Sequence, residues 1–168
     1  SALAGSKPEV ARKMIQQLSE FLRGTLKKDE LELVALDEEM HHLGLYLEIE
    51  KVRFGHRLNI EIETSEDSKK MKLPSLLLQP IVENAIKFGL YDTTDQVTII
   101  IKAQEVASML EIIIVNPYDM NTAVQKQGEG FGLSSVQRRL QLIYARPDLL
   151  TISKEENKFT TRIRIPQL

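Results

Sequence analysis

The sequence predicts an α/β fold, a two-layer sandwich in which helices cover one side of a mixed sheet, preceded by two helices. Three observations lead there. Residues 74–89 carry a helical apolar stripe of Leu77, Ile81, Ala85 and Phe88. Gly128-Glu129-Gly130-Phe131-Gly132 packs three glycines into five residues and runs into apolar positions 133, 136, 140, 143 and 144, again at helical spacing. From Leu58 onward, segments such as Leu58, Ile60 and Ile62 alternate apolar with polar residues, which is strand patterning.

In chain order, residues 6–26 read as a first helix. Ser6 and Glu9 have capping-box spacing, Pro8 suits the first turn, and Val10, Met14, Leu18 and Phe21/Leu22 form the stripe. Gly24 and the Lys27-Lys28-Asp29 run are expected to end it. A second helix spans 36–54, with Leu36, Met40, Leu43, Leu47 and Phe54 on or near one face. The pair reads as an antiparallel hairpin or a dimer-forming preface; two helices covering one face of the sheet is the other reading. After the strand at Leu58, residues 64–72 are a charged loop and 74–89 a helix. Val97–Lys102 and Met109–Val115 are strands joined by a turn at Ala107-Ser108, and 116–131 is a loop without period. A helix at 132–145 and strands near 149–153 and 158–165 complete the chain. The expected division is a helical segment at 1–56 and a sheet domain at 57–168.

Composition narrows the function. The 168 residues suffice for one domain with a real core, and 42% hydrophobic with 27% charged residues describe an ordinary globular chain. A net charge of -2 argues against a non-specific nucleic-acid binder. Without cysteine there is neither a disulfide framework nor a cysteine zinc site, which fits the cytoplasm. The apolar run Ile112–Val115 is too short to span a bilayer, no signal peptide is visible, and an opening Ser1 in place of Met reads as a piece of a longer protein.

The chemistry concentrates in two places. Glu83 and Lys87 lie one turn apart on one helix face, with Asn84 about 100° round from Glu83. Together they can supply a magnesium ligand, a proton acceptor and a phosphate counter-charge. A surface Glu–Lys pair beside an incidental Asn explains that helix alone equally well. The glycine loop opening a helix tips the balance, because backbone N–H groups and the positive end of the helix dipole then face an anion. It is not a Walker loop, since no Gly-Lys-Ser or Gly-Lys-Thr follows.

With these residues in view, the chain resembles a known family. LPSLLLQPIVENAIKFG at 73–89 looks like the N-box, and GEGFGLSSVQRRLQLIY at 128–144 like the second glycine box, of sensor histidine kinase ATP-binding domains. YLEIEKVRFGHRL at 46–58 and LSEFLRGTL at 18–26 look more narrowly like the LytS/YehU type. The likeness runs from about residue 1 to 166. It implies the Bergerat ATP-binding fold, shared with gyrase, MutL and the heat-shock chaperone ATPases, with ATP and Mg as ligands. It also implies a response regulator as partner, a homodimer in the intact kinase, and a membrane-bound parent with this part in the cytoplasm.

The resemblance also assigns roles. Asn84 matches the magnesium-ligating asparagine; an amide oxygen suits a hard cation without adding charge beside a triphosphate. Glu83 would orient or deprotonate the nucleophile, and an exposed or salt-bridged carboxylate is the plainer reading. Lys87 would meet a phosphate as a point charge. Gly128, Gly130, Gly132 and the following Leu133 would bring the backbone to the phosphates. Asn116 stands where most of the family has the Asp of an Asp-x-Gly-x-Gly box, so its neutral carbonyl would accept more weakly from the adenine amino group. Phe88 stands where His is commoner. Thr160 and Thr161 can approach adenine, and β-propensity explains them as well. Arg138 and Arg139 read best as solvated helix surface, with phosphate contact the other possibility. The loop at 116–131 occupies the place of the ATP lid.

None of His41, His42 and His56 precedes the Phe-Leu-Phe-Asn pattern of the family's phospho-acceptor, which would lie upstream of Ser1. The expectation is a kinase catalytic part that presents the γ-phosphate to that upstream histidine. A water-directed ATPase of the same fold and a non-enzymatic signalling scaffold are the rivals.

Overall fold

The structure is a computed structural model and describes residues 7–27, 29, 31–90, 94–119 and 131–168. Helix α1 (Pro8–Lys27) packs on α2 (Leu36–Phe54). A short strand β1 (Leu33–Ala35) leads into α2, and a 3-10 turn after it leads into β2 (Leu58–Thr64). Then come β3 (Lys72–Pro74), α3 (Leu78–Leu90), β4 (Val97–Val106), β5 (Met109–Pro117), α4 (Phe131–Tyr144), β6 (Leu150–Glu155) and β7 (Lys158–Pro166). The main sheet has the order β2-β4-β5-β7-β6, with β2 and β4 parallel and the other pairs antiparallel, which makes it mixed. Strands β1 and β3 form a separate antiparallel pair. The predicted two-layer α/β class is what the chain adopts.

Alternation decides which sheet face is covered. Val97, Ile99, Ile101, Leu110, Ile112, Ile114, Ile163 and Ile165 are all buried, while their strand neighbours are mostly more open. Against them lie Leu78, Ile81, Val82, Ala85 and Ile86 of α3, with Val136 and Leu140 of α4. The turns Ala107-Ser108 and Glu156-Asn157 each hold two residues at positive φ, the backbone of a tight two-residue hairpin.

The helix expected at 6–26 ends at Lys27, within a residue of the expected stop, and runs through Gly24, which packs on His42, where a Cβ would stand 2.9 Å from Nδ1. Ser6 of the expected capping box lies outside the described residues. The helix expected at 74–89 starts later, because Lys72–Pro74 are held in β3 and Leu76 has a φ of 59°. Across the division expected at residue 56 the packing is shared, since Val34, Leu36, Leu43 and Leu47 belong to the same buried cluster as the sheet residues.

Candidate functional site

Helix α3 presents two flanks outside the core. Along one, Pro80, Asn84 and Phe88 recur every four residues, covering about 12 Å of helix axis at 1.5 Å per residue. At the Pro80 end stands the start of α4. Gly132 comes so close that a Cβ there would lie 3.3 Å from the Pro80 carbonyl oxygen, an approach that glycine permits most easily. No acidic side chain occupies the first turn of α4, so nothing in that turn offsets the positive end of its dipole.

At the other end, Phe88 stacks on Phe159 with ring centroids 6.0 Å apart, and Tyr118 tilts against Phe159 at 5.6 Å. Lys154 Nζ lies over both the Tyr118 and Phe159 rings, at 5.3 and 5.9 Å. Asn116 pairs across the strands with Phe159 and is buried. Its Nδ2 donates to the Pro117 carbonyl at 2.8 Å, so the Oδ1 carbonyl is the acceptor this side chain retains.

Glu83 and Lys87 occupy the second flank, facing α2. They line a cavity of about 160 Å³ together with Ile86 and, from α2, Tyr46, Glu50, Arg53 and Phe54. Gln79 Nε2 donates to Glu83 Oε1 at 2.8 Å, and Arg53 stands 3.9 Å from Glu50. Burial pushes the Glu50 carboxyl above the ordinary range; Arg53 opposes this and Glu83 adds to it. Burial also raises the Tyr46 hydroxyl, with Glu50 and Glu83 reinforcing the effect and Arg53 opposing it.

The entry to α3 is clamped from both sides. Glu39 of α2 is 2% exposed and accepts from the Leu76 and Leu78 N–H groups at 3.0 and 3.3 Å. Arg139 of α4 donates to the Ser75 and Leu76 carbonyls at 2.7 and 3.5 Å. The carboxylate thereby caps the Leu78 donor of the first turn of α3, where negative charge is favoured, and holds the Leu76 N–H just before it.

The expected residues thus separate. Gly132 approaches Pro80, one turn before Asn84 on α3, and Asn116 pairs with Phe159, on which Phe88 stacks at the far end of the same flank; Glu83 and Lys87 turn to the other. Gly128 and Gly130 lie outside the described residues, as does most of the loop at 116–131. The Leu133 side chain is committed to the core, which leaves its backbone for any ligand. Thr160 pairs with Val115 and Ser153 on the sheet face turned away from the helices. Thr161, buried and in phase with Phe159 and Ile163, is the threonine on the helix-covered face. Arg139 is not solvated surface, since it holds the α3 entry, whereas Arg138 is exposed. His42 is buried and stacked on Phe21 at 4.9 Å, and His41 pairs with Glu20 at 3.1 Å.

Several of these positions left a signal in the sequence. Thr161 falls in the apolar phase of 159, 163 and 165. Glu39 is an acid at an apolar position of the 36–43–47 stripe. Tyr46, Glu50 and Arg53 recur at one-turn spacing.

The chain is similar to known proteins over nearly its whole length. The family model described as histidine kinase matches residues 1–58. The sensor histidine kinase BtsS of Escherichia coli K12 is 33% identical over 159 residues, covering 94% of this chain and 28% of that protein. The sensor protein LytS of Streptococcus agalactiae is 28% identical, covering 99% of this chain and 30% of its own. The chain therefore spans less than a third of these curated relatives. Among solved structures, the catalytic domain of histidine kinase ThkA superposes with a TM-score of 0.59 at 15% identity, covering 81% of this chain and 95% of that one. ThkA in complex with the response regulator protein TrrA gives 0.54 at 12% identity, covering 95% and 50%.

Proposed function

We propose that this chain, which belongs to the sensor histidine kinases of the LytS/BtsS type, binds Mg-ATP along the Asn84 flank of α3 and presents the γ-phosphate to a histidine carried upstream. The observation that carries this reading is the alignment of that flank. A glycine-opened helix N-terminus sits at one end of Asn84, and an aromatic cluster with a buried amide acceptor sits at the other. The phosphates would lie at the start of α4, where backbone N–H groups and the dipole favour anions. The adenine would lie toward Phe88, Tyr118 and Phe159, its amino group donating to Asn116 Oδ1 and its edge near Thr161.

The residues present fit a magnesium ion that arrives on phosphate oxygens. Among the described residues, no group of three or more His, Cys, Asp or Glu is placed to hold a metal, and Asn84 supplies a single neutral oxygen. Magnesium commonly keeps several waters and takes few protein ligands beside phosphate. When bound, it would neutralise phosphate charge during transfer. The chain itself positions the nucleotide, with Lys87 adding a positive charge one turn from Glu83 and Glu83 available to the incoming imidazole.

In the intact protein the phosphoryl group would pass on to an aspartate of a response regulator, within a homodimeric, membrane-bound parent whose catalytic part is cytoplasmic. No helix among the described residues is long and apolar enough to cross a membrane.

Radiolabelled ATP tests the assignment. The chain alone is expected to retain no acid-labile phosphate, whereas the same chain extended upstream through its acceptor histidine retains it, and Asn84→Ala in the extended form abolishes it. Stable phosphohistidine on the isolated chain, or undiminished labelling of the extended Asn84→Ala form, would contradict the reading.

A further inference from the structure

The cavity between α2 and α3 lies on the flank of α3 turned away from Gly132, and it gathers ionisable groups from both helices. Glu50 and Arg53 of α2 meet Glu83 and Lys87 of α3 there, with the Tyr46 hydroxyl between burial and two carboxylates. Two segments distant in sequence, 46–54 and 83–87, supply its walls. We propose that this cavity seats the imidazole of the phospho-accepting histidine, with Glu50 as the carboxylate that takes its proton. The assignment deepens the kinase reading and rests on it.

Size points to a ring of that kind. At about 160 Å³ the cavity falls below the roughly 300–1,000 Å³ of pockets that hold drug-sized ligands, so a nucleotide is too large and a single side-chain ring is not. Its chemistry agrees. A neutral imidazole carries one N–H donor and one acceptor nitrogen, and presents apolar faces. The cavity offers carboxylates to the donor, Phe54 and Ile86 to the faces, and Arg53 and Lys87 to the charge of an arriving phosphoryl group. Position completes the case: Glu83 and Lys87 flank Asn84 on the same helix, within one turn of it on either side.

The transfer then balances. The lone pair of one ring nitrogen forms the N–P bond while the P–O bond to ADP breaks, its electron pair leaving with ADP. The other ring nitrogen gives its proton to the Glu50 carboxylate. Burial, offset by Arg53 and reinforced by Glu83, holds Glu50 above the usual carboxylate range and so makes it a better proton acceptor. The charged and titratable groups facing it are Tyr46 and Arg53 from its own helix and Glu83 and Lys87 from α3.

The test titrates N-acetylhistidine methylamide into the chain at about pH 8, where a histidine ring is neutral. Backbone amide spectra are read for wild type and Glu50→Gln, and Mg-ATP is titrated separately into both. The expected result is probe-induced shifts confined to 46–54 and 83–87, probe affinity about tenfold weaker in Glu50→Gln, near 1.4 kcal/mol, and Mg-ATP affinity the same in both. Intact Mg-ATP binding also shows that the variant is folded. Shifts elsewhere, or equal probe affinity in both proteins while Mg-ATP still binds, would overturn the cavity assignment and leave the kinase reading standing. Loss of Mg-ATP binding by the wild type would instead overturn the kinase reading and the assignment with it.

Discussion

In the proposed adenine site, Asn116 would let one neutral amide stand in for a carboxylate. Its Nδ2 is engaged by the Pro117 carbonyl, which turns the remaining acceptor into a single directed oxygen in a buried place. A charged acceptor there would bind an amino group more strongly, and it would also need its charge compensated on burial. Asn116→Ala is expected to lower ATP affinity roughly two- to tenfold, the range of one net hydrogen bond, and to erode discrimination of ATP over GTP. Competition titrations with the two nucleotides measure both effects, and discrimination preserved in the variant would remove Asn116 from the adenine site. Phe88 marks a second departure from the commoner pattern: its ring is spent on Phe159 and extends the aromatic cluster, where a histidine would have offered a polar nitrogen.

Helix α3 depends for its position on its neighbours, because its first turn is held by Glu39 from one helix and the preceding carbonyls by Arg139 from another. Glu39→Ala would leave the Leu76 and Leu78 N–H groups without that acceptor, at about 1–3 kcal/mol for each buried group left unsatisfied. Denaturant titration should show a lower midpoint at unchanged slope, and an unchanged midpoint would mean that the clamp is dispensable. The sequence made the bounds of α2 and the starts of the strands at 58, 97 and 109 legible from their apolar positions, although β4 runs to Val106 and β5 to Pro117, past the expected Lys102 and Val115. It did not reveal β1 and β3, whose three residues each are too few to show a period and whose pairing is non-local. The late start of α3 was hidden for the same reason, because Leu76 at positive φ is imposed by tertiary contacts and not by local propensity. Asn84 and Gly132 were legible as residues with a chemistry. That Glu83 and Lys87 face a different helix from the one Gly132 opens needed the packing of α2, which periodicity alone does not orient.

Taken whole, the molecule is a sheet domain with β1 and α2 built into its core and α1 laid on α2. Its acid stability has an identifiable contributor away from the site. Glu111 is nearly buried; burial pushes its carboxyl up, but hydrogen bonds from Gln104 and Arg164 and the charges of Arg162 and Arg164 outweigh this and hold it below the usual range. A depressed carboxyl contributes stability that is present above its unfolded value, about 4.3, and is lost as pH falls from there through the folded value. Unfolding midpoints taken between about pH 3 and pH 6 should fall on acidification, and less steeply in Glu111→Gln; identical slopes would exclude Glu111 as a source. The proposed magnesium role of Asn84 belongs to the flank of α3 that runs from Pro80, against the glycine-opened helix, to Phe88 in the aromatic cluster. Calorimetric titration of ATP into the wild-type chain and Asn84→Ala, each with and without magnesium, tests it most directly. Magnesium-dependent binding in the wild type that is lost in Asn84→Ala is the predicted result, and binding indifferent to magnesium and to Asn84, or absent from both proteins, would contradict it.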